Sequence, residues 1–214
     1  MEKQSFIATI KRYYPWINSM EKAAFHIHDN VNQKYDDVLP YGFHLKMTAS
    51  YVSRYGYLVS DTEGDVLVLY ASAYLHDTIE DARMTYNDIV KFLREFRGED
   101  FVLPEAVRLQ LEQQVPEIVY ALTNEKGRNR KERANNLYYK GIRDTRFASF
   151  IKMCDRLANI QYTIMFVFAN RMLDVYRKEY PEFIQLISEG SVTQIPDAMK
   201  KEAERLLNSE SYII

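Results

Sequence analysis

GDVLVLYASAYLHDTIED, residues 64–81, is the stretch on which the fold turns. From Val66 to Leu75 it is apolar almost all round, a pattern shared by buried strands and fully buried helices. Its length exceeds that of an ordinary strand, and Ala71, Ser72 and Ala73 let a neighbour approach closely, so it reads as a buried helix. The apolar run ends at His76, followed at once by Asp77 and then by Glu80 and Asp81. On a helix, residues four apart share a face, which sets His76 beside Glu80 and Asp77 beside Asp81. One helical end therefore gathers an imidazole and three carboxylates.

The rest of the chain agrees with a helical protein. Seven Gly and six Pro are few in 214 residues, while 17 Tyr and 11 Phe are many. Scarce breakers and large side chains favour long packed helices over a sheet with many turns. Helical periodicity is visible in EKAAFHIHDNV (21–31) and FHLKMTASYVSRYG (43–56). Another helix is expected over 85–96, with Thr85 as its cap and Asp88 in a capping-box position. Pro116 is read as opening a helix through Leu122, and 124–133 as a polar loop. Residues 145–179 form one or two long helices, interrupted by Pro181, and a last helix follows Pro196. No alternating strand pattern is evident. With no internal repeat, low-complexity tract or Gly/Ser linker, residues 1–214 read as a single all-α domain.

A formal net charge of -2 supplies no global field for a nucleic-acid polymer, so any anion must be held by a local site. Cys154, the one cysteine, excludes an internal disulfide framework and suits a reducing compartment. The N-terminal stretch lacks a signal-peptide core, and no run approaches the roughly 20 apolar residues that cross a bilayer. A soluble cytoplasmic protein without membrane contact is the expectation.

Asp155 is out of character with its neighbours Ile151, Met153, Cys154, Leu157, Ala158 and Ile160. A carboxylate in such surroundings must be paired, metal-bound or protonated, because an isolated buried charge is costly. Taken singly, Asp155 pairs with Arg156 or another base and His76 is an ordinary core histidine. Taken together with His44, which follows the Pro40–Tyr41 turn, they read as a set. PYGFH (40–44), YLHDTIED (74–81), ALTNEKG (121–127) and IKMCDRLANI (151–160) occur in an order that resembles the HD-domain phosphohydrolases. The likeness is closest to the hydrolase domain of the RelA/SpoT enzymes and to the single-domain small alarmone hydrolases. It spans about residues 20–165, with C-terminal helices 166–214 packing on that core.

The resemblance implies an HD-type helical bundle with one divalent metal ion on His44, His76, Asp77 and Asp155. It implies catalytic roles for Glu80 and Asp81, and a contact from Asn159 to the nucleotide sugar. Two imidazoles and two carboxylates form a mixed nitrogen/oxygen set suited to Mn(II), with Fe(II), Co(II) or Zn(II) also compatible. The implied reaction is hydrolysis of the 3'-pyrophosphate of guanosine tetra- or pentaphosphate, giving pyrophosphate and GDP or GTP. Arg128 and Arg130, in a basic run with Lys131 and Arg133, are candidates to hold phosphate, since a guanidinium donates two parallel hydrogen bonds. Tyr138 and Tyr139 could stack on a base.

Two departures bear on the substrate. In QKYDDVLPYGFH (33–44) only Lys34 remains of the Arg-Lys pair with which the family seats guanine, and Gln161 and Tyr162 replace a polar pair ending in Thr. Another nucleotide substrate is the alternative, and a catalytically silent nucleotide sensor a third reading. Within these 214 residues no room is left for a synthetase domain, so synthesis of the alarmone is not expected. His26 and His28, two apart on a helix, point in different directions and are poor joint ligands. Nothing marks Cys154 as reactive. Met165, Phe166, Phe168 and Met172 read as core or as a subunit contact in a homo-oligomer.

Overall fold

The computed structural model describes residues 1–98, 101–124, 132, 134–166 and 170–209, with 170 and 171 described by backbone alone. Among these residues the helices are α1 (Lys3–Asp29), α2 (Gly42–Tyr55), α3 (Glu63–Leu75), α4 (Tyr86–Glu95), α5 (Glu105–Leu122), α6 (Asn136–Asp144), α7 (Ala148–Met165), α8 (Asn170–Ser188) and α9 (Asp197–Leu207). A 3-10 turn, Gly56–Leu58, joins α2 to α3. The chain is all-α save for a two-residue hairpin, β1 (Lys34–Tyr35) with β2 (Leu39–Pro40), which the sequence did not announce. Asp36 and Asp37 turn it in the left-handed region, at φ 53° and 59°, where a short polar side chain is tolerated better than most.

Every residue of α3 from Gly64 to Leu75 is buried, as a helix apolar on all sides requires. It packs against α1, α2 and α5, while α7 packs against α2, α8 and α9. Truncating a side chain such as Leu67 or Leu69 in this core costs about 2–5 kcal/mol. Helix α3 stops at Leu75, short of the expected end, and residues 76–81 continue as turns. The Thr78 hydroxyl and backbone N–H both take the Leu75 carbonyl, at 2.7 and 3.0 Å, closing the helix there. Asp81 N–H still reaches Asp77 O at 2.8 Å, so the expected closeness of those two residues survives.

Three prolines lie within helices rather than at their ends. Pro116 does not open a helix: α5 starts at Glu105 after Pro104 and runs through it. Buried Leu111, Val115, Ile118, Val119 and Leu122 continue one apolar face across the proline, and that packing overrides the local penalty. Pro181 likewise leaves α8 unbroken, and it stands exposed, as Pro15 does in α1, where water can meet the freed carbonyl. Thr85 caps α4 with the full capping box, and α9 begins directly after Pro196, both as read from the sequence.

Two local devices set the position of site-bearing helices. Gly42 opens α2 against the Phe25 ring, where an added Cβ would come within 2.7 Å of ring carbons. Phe147, just before α7, adopts a left-handed backbone (φ 67°) while its side chain is buried. Its N–H donates to Thr193 Oγ1 at 2.8 Å, and the Arg146 guanidinium lies 4.1 Å from the ring centre. Among the described residues no helix is long and apolar enough to cross a membrane.

Candidate metal centre

Three elements deliver the side chains. His44 sits in the first turn of α2, its N–H bonded to Tyr41 O at 3.0 Å. His76 is the C-cap of α3 with Asp77 next to it, and Asp155 lies in the middle of α7. The contacts of α2 with both α3 and α7 close the triangle.

His76 Nδ1 lies 2.9 Å from the Ala73 carbonyl, which can only accept. That bond assigns the proton to Nδ1 and leaves the Nε2 lone pair facing the centre, as metal-binding histidines are held. His44 Nε2 is 3.2 Å from His76 Nε2. Asp77 Oδ2 is 2.9 Å from His76 Nε2 and 3.4 Å from His44 Nε2. Asp155 Oδ1 faces the same pair at 3.3 Å from His44 and 3.9 Å from His76. His44, His76 and Asp77 offer ligand atoms that lie within 4.8 Å of one another, a group able to hold a metal ion. The donor set fits a divalent cation of borderline hardness.

The electrostatics agree. Burial works against charge on His44, but the Asp155 and Asp77 carboxylates outweigh it and push the imidazole up to about 9. Burial would raise both acids; His76 and His44 hold Asp77 well below the usual range, and Lys152 with His44 does so for Asp155. One buried and one half-buried carboxylate, Asp155 and Asp77, thus call for positive charge between them, supplied by a proton or by a cation.

Of the two pairings offered for Asp155, with Arg156 or with another base, the second is formed. Arg156 turns away to Glu179 Oε2 at 3.1 Å, its guanidinium 4.8 Å from the Tyr176 ring centre and 4.2 Å from that of Phe183. Lys152 takes its place, with Nζ 2.9 Å from Asp155 Oδ2, while Asn159 donates to Oδ1 and to the Asp155 carbonyl. Asn159 also accepts from the Tyr35 hydroxyl at 2.7 Å, so hairpin and α7 are tied together beside the centre.

Glu80 is exposed and receives Asn124 Nδ2 on both oxygens at 2.8 and 2.9 Å. Asp81 is half-buried; burial and then the Asp77 charge raise its carboxyl, against the Tyr41 hydroxyl, which lowers it. Lys34 is exposed at the start of the hairpin. Arg128, Arg130, Lys131, Arg133 and Phe168 lie outside the described residues. Neither His26 nor His28 joins the group, as expected, and burial pushes the Cys154 thiol well above its ordinary value, away from reactivity.

Several residues around the centre were not singled out from the sequence. Tyr41 donates to Asp77 Oδ2 at 2.6 Å, and Tyr35 stacks on the His44 ring at 4.8 Å. Lys152 was detectable as a cation three residues before a buried acid on one helix. Nothing local signals Tyr35, because its approach depends on the hairpin.

A cavity of about 670 Å3 opens alongside, lined in part by Asn124, Tyr138, Tyr139, Lys152 and Arg156. Two of these bond directly to site residues: Asn124 to Glu80 and Lys152 to Asp155. A separate cavity of about 530 Å3, walled by Trp16, Phe96 and Phe101, has none of the site residues in its lining. Comparisons with protein-family models, curated proteins and solved structures returned no match.

Proposed function

We propose that this chain is a metal-dependent phosphohydrolase that removes the 3'-pyrophosphate of guanosine tetra- or pentaphosphate. The observation carrying the reading is the convergence of His44, His76 and Asp77, faced by Asp155, with the His76 tautomer fixed so that Nε2 points inward. His44, His76, Asp77 and Asp155 would hold the ion, Mn(II) being the best match to the donor set. When bound, a divalent ion supplies Lewis acidity toward phosphorus and acidifies water.

The protein's own groups supply the rest. Asp81, its carboxyl raised by burial and by the Asp77 charge, is the candidate to exchange a proton with water or the leaving oxygen. Glu80, held by Asn124, stands beside it to orient water or the leaving oxygen. The oxygen of water bonds to phosphorus, the bond from phosphorus to the 3'-oxygen breaks, and that oxygen takes up a proton. Lys152 sets its ammonium between Asp155 and the adjoining cavity, where a phosphate oxygen would meet it. The cavity, within the usual size of small-molecule sites, has room for a nucleoside. Its Tyr138 and Tyr139 rings lie 5.1 Å apart between centres.

A second reading, hydrolysis of a different nucleotide, draws on the positions where the sequence departs from the alarmone hydrolases. Gln161 accepts from Tyr51 at 2.8 Å and Tyr162 donates to Asp36 at 3.1 Å, so both are engaged within the protein. Incubation of the Mn(II)-loaded chain with guanosine tetraphosphate, followed by product separation, tests the first reading. No pyrophosphate at micromolar enzyme would overturn it, and release from another member of a nucleotide panel would establish the second. Nucleotide binding without any turnover would indicate a sensor.

A further inference from the structure

Tyr41 touches the candidate centre at two points and is itself carried by a histidine whose ring nitrogens have no hydrogen-bond partner among the described residues. Its hydroxyl donates to Asp77 Oδ2 at 2.6 Å, the same oxygen that faces both imidazoles. Its carbonyl receives the His44 N–H at 3.0 Å, at the start of α2. One residue therefore connects two candidate ligands, Asp77 and His44.

Beneath it lies His28, fully buried on α1, its ring stacked on Tyr41 at 4.4 Å between centres and 11° between planes. Neither ring nitrogen of His28 has a hydrogen-bond partner among the described residues. An unpaired buried polar group is costly, so hydrogen bonding does not account for His28. Flat contact with the phenol does. Tyr35 closes the side edge-on, 6.1 Å from Tyr41 between ring centres.

We propose that Tyr41, seated on the His28 ring, is the positioning residue of the centre. By donating to Asp77 Oδ2 it fixes the direction of that carboxylate, and by accepting the His44 N–H on its carbonyl it ties that carboxylate to the start of α2. The inference rests on the metal reading above and extends it to a residue that would not itself hold the ion.

The test is Tyr41→Phe, which keeps the ring and the stack and removes only the hydroxyl. Competition with a fluorescent chelator is expected to give a Kd for Mn(II) raised about 10- to 100-fold, the usual cost of losing a partner of a ligand. Turnover should fall through kcat with KM little changed, and the metal-free chain should melt at the wild-type temperature. A wild-type Kd with wild-type kcat would overturn the proposal. So would a fall in melting temperature of the metal-free chain accounting for the lost affinity, since that marks a merely structural role.

His28→Ala and His28→Phe test the platform. The first is expected to weaken Mn(II) binding, and the second, which restores a flat ring, to weaken it less. Equal losses would show that the ring nitrogens act and would overturn that part. Wild-type protein that binds Mn(II) but hydrolyses no nucleotide would sink the proposed activity and leave Tyr41 to be decided by affinity. Wild-type protein that binds no Mn(II) would overturn both.

Discussion

Helix α3 has an aspartate at each end, and the protein treats the two in opposite ways. Asp65, in its first turn, is 1% exposed and is surrounded by fixed donors. Its oxygens accept from Asp61 N–H and Thr62 N–H at 2.9 and 3.1 Å, from Gln110 at 2.7 Å, and from Arg146 at 2.7 and 3.0 Å. Asp77, just past the other end, has one fixed donor, the Tyr41 hydroxyl at 2.6 Å, and otherwise faces two imidazole nitrogens that also face each other at 3.2 Å. The first acid is satisfied by the polypeptide; the second is arranged to share its charge with something else. Burial alone therefore does not mark a site. What marks it is whether the partners are donors or rival acceptors.

The largest expected effect breaks the second end. Asp155→Ala removes the carboxylate opposite His44, and metal analysis after purification in Mn(II) should fall to the background of a stripped control, with turnover gone. Equal metal content in the variant would contradict the assignment. Glu80→Gln should sharpen the contrast between holding the ion and using it. Mn(II) content stays at the wild-type level, while kcat drops about 10²- to 10⁴-fold, the range for losing a positioned proton-transfer group.

At the first end the loss should appear in stability and not in metal. Asp65→Ala leaves Arg146, Gln110 and two backbone donors without their acceptor and should cost about 2–4 kcal/mol in urea unfolding, with metal content unchanged. Arg146 is partly exposed and can turn to water, which keeps the figure below that of a fully enclosed pair. Burial raises the Asp65 carboxyl, but the Arg146 bond and the backbone N–H groups outweigh it and hold it below the ordinary 3.8. The unfolded chain therefore takes up this proton first as pH falls. The stabilisation from Asp65 is complete above about pH 4–5 and fades through the folded value below that. Melting curves from pH 7 to pH 3 should fall more steeply for wild type than for Asp65→Asn; parallel curves would refute the assignment. The smallest effect is Thr85→Ala, which removes the cap of exposed α4 and should cost about 1 kcal/mol.

How much of this could be read beforehand follows from which forces are local. The apolar run 66–75 and the Thr85 cap act over a few residues, so the all-helical class and the start of α4 were legible. His76, Asp77 and Asp155 were legible because a polar group in an apolar setting needs a reason, whereas their meeting at one point was only what the family resemblance implied. The prolines misled, because Pro116 and Pro181 are breakers only where packing does not hold the helix on both sides. The base that pairs with Asp155 is Lys152 and not Arg156, because adjacency in sequence puts Arg156 about 100° around α7, toward Tyr176 and Phe183. Tyr35 and Tyr41 gained their roles from a two-residue hairpin and a stack on α1, neither of which has a sequence period to detect.

Phe147 gives this geometry a remote origin. A helix has no memory of where it is except through where it starts, and α7 starts from a kinked residue bolted to Thr193 near the far end of the chain. Eight residues on, about 12 Å along the axis, Asp155 points wherever that start dictates. A slip of one residue at the anchor would swing the aspartate by about 100° and empty one corner of the centre. The segment before α9 thus acts as an alignment pin: the fidelity of the site is set at a buried anchor about two turns of helix away.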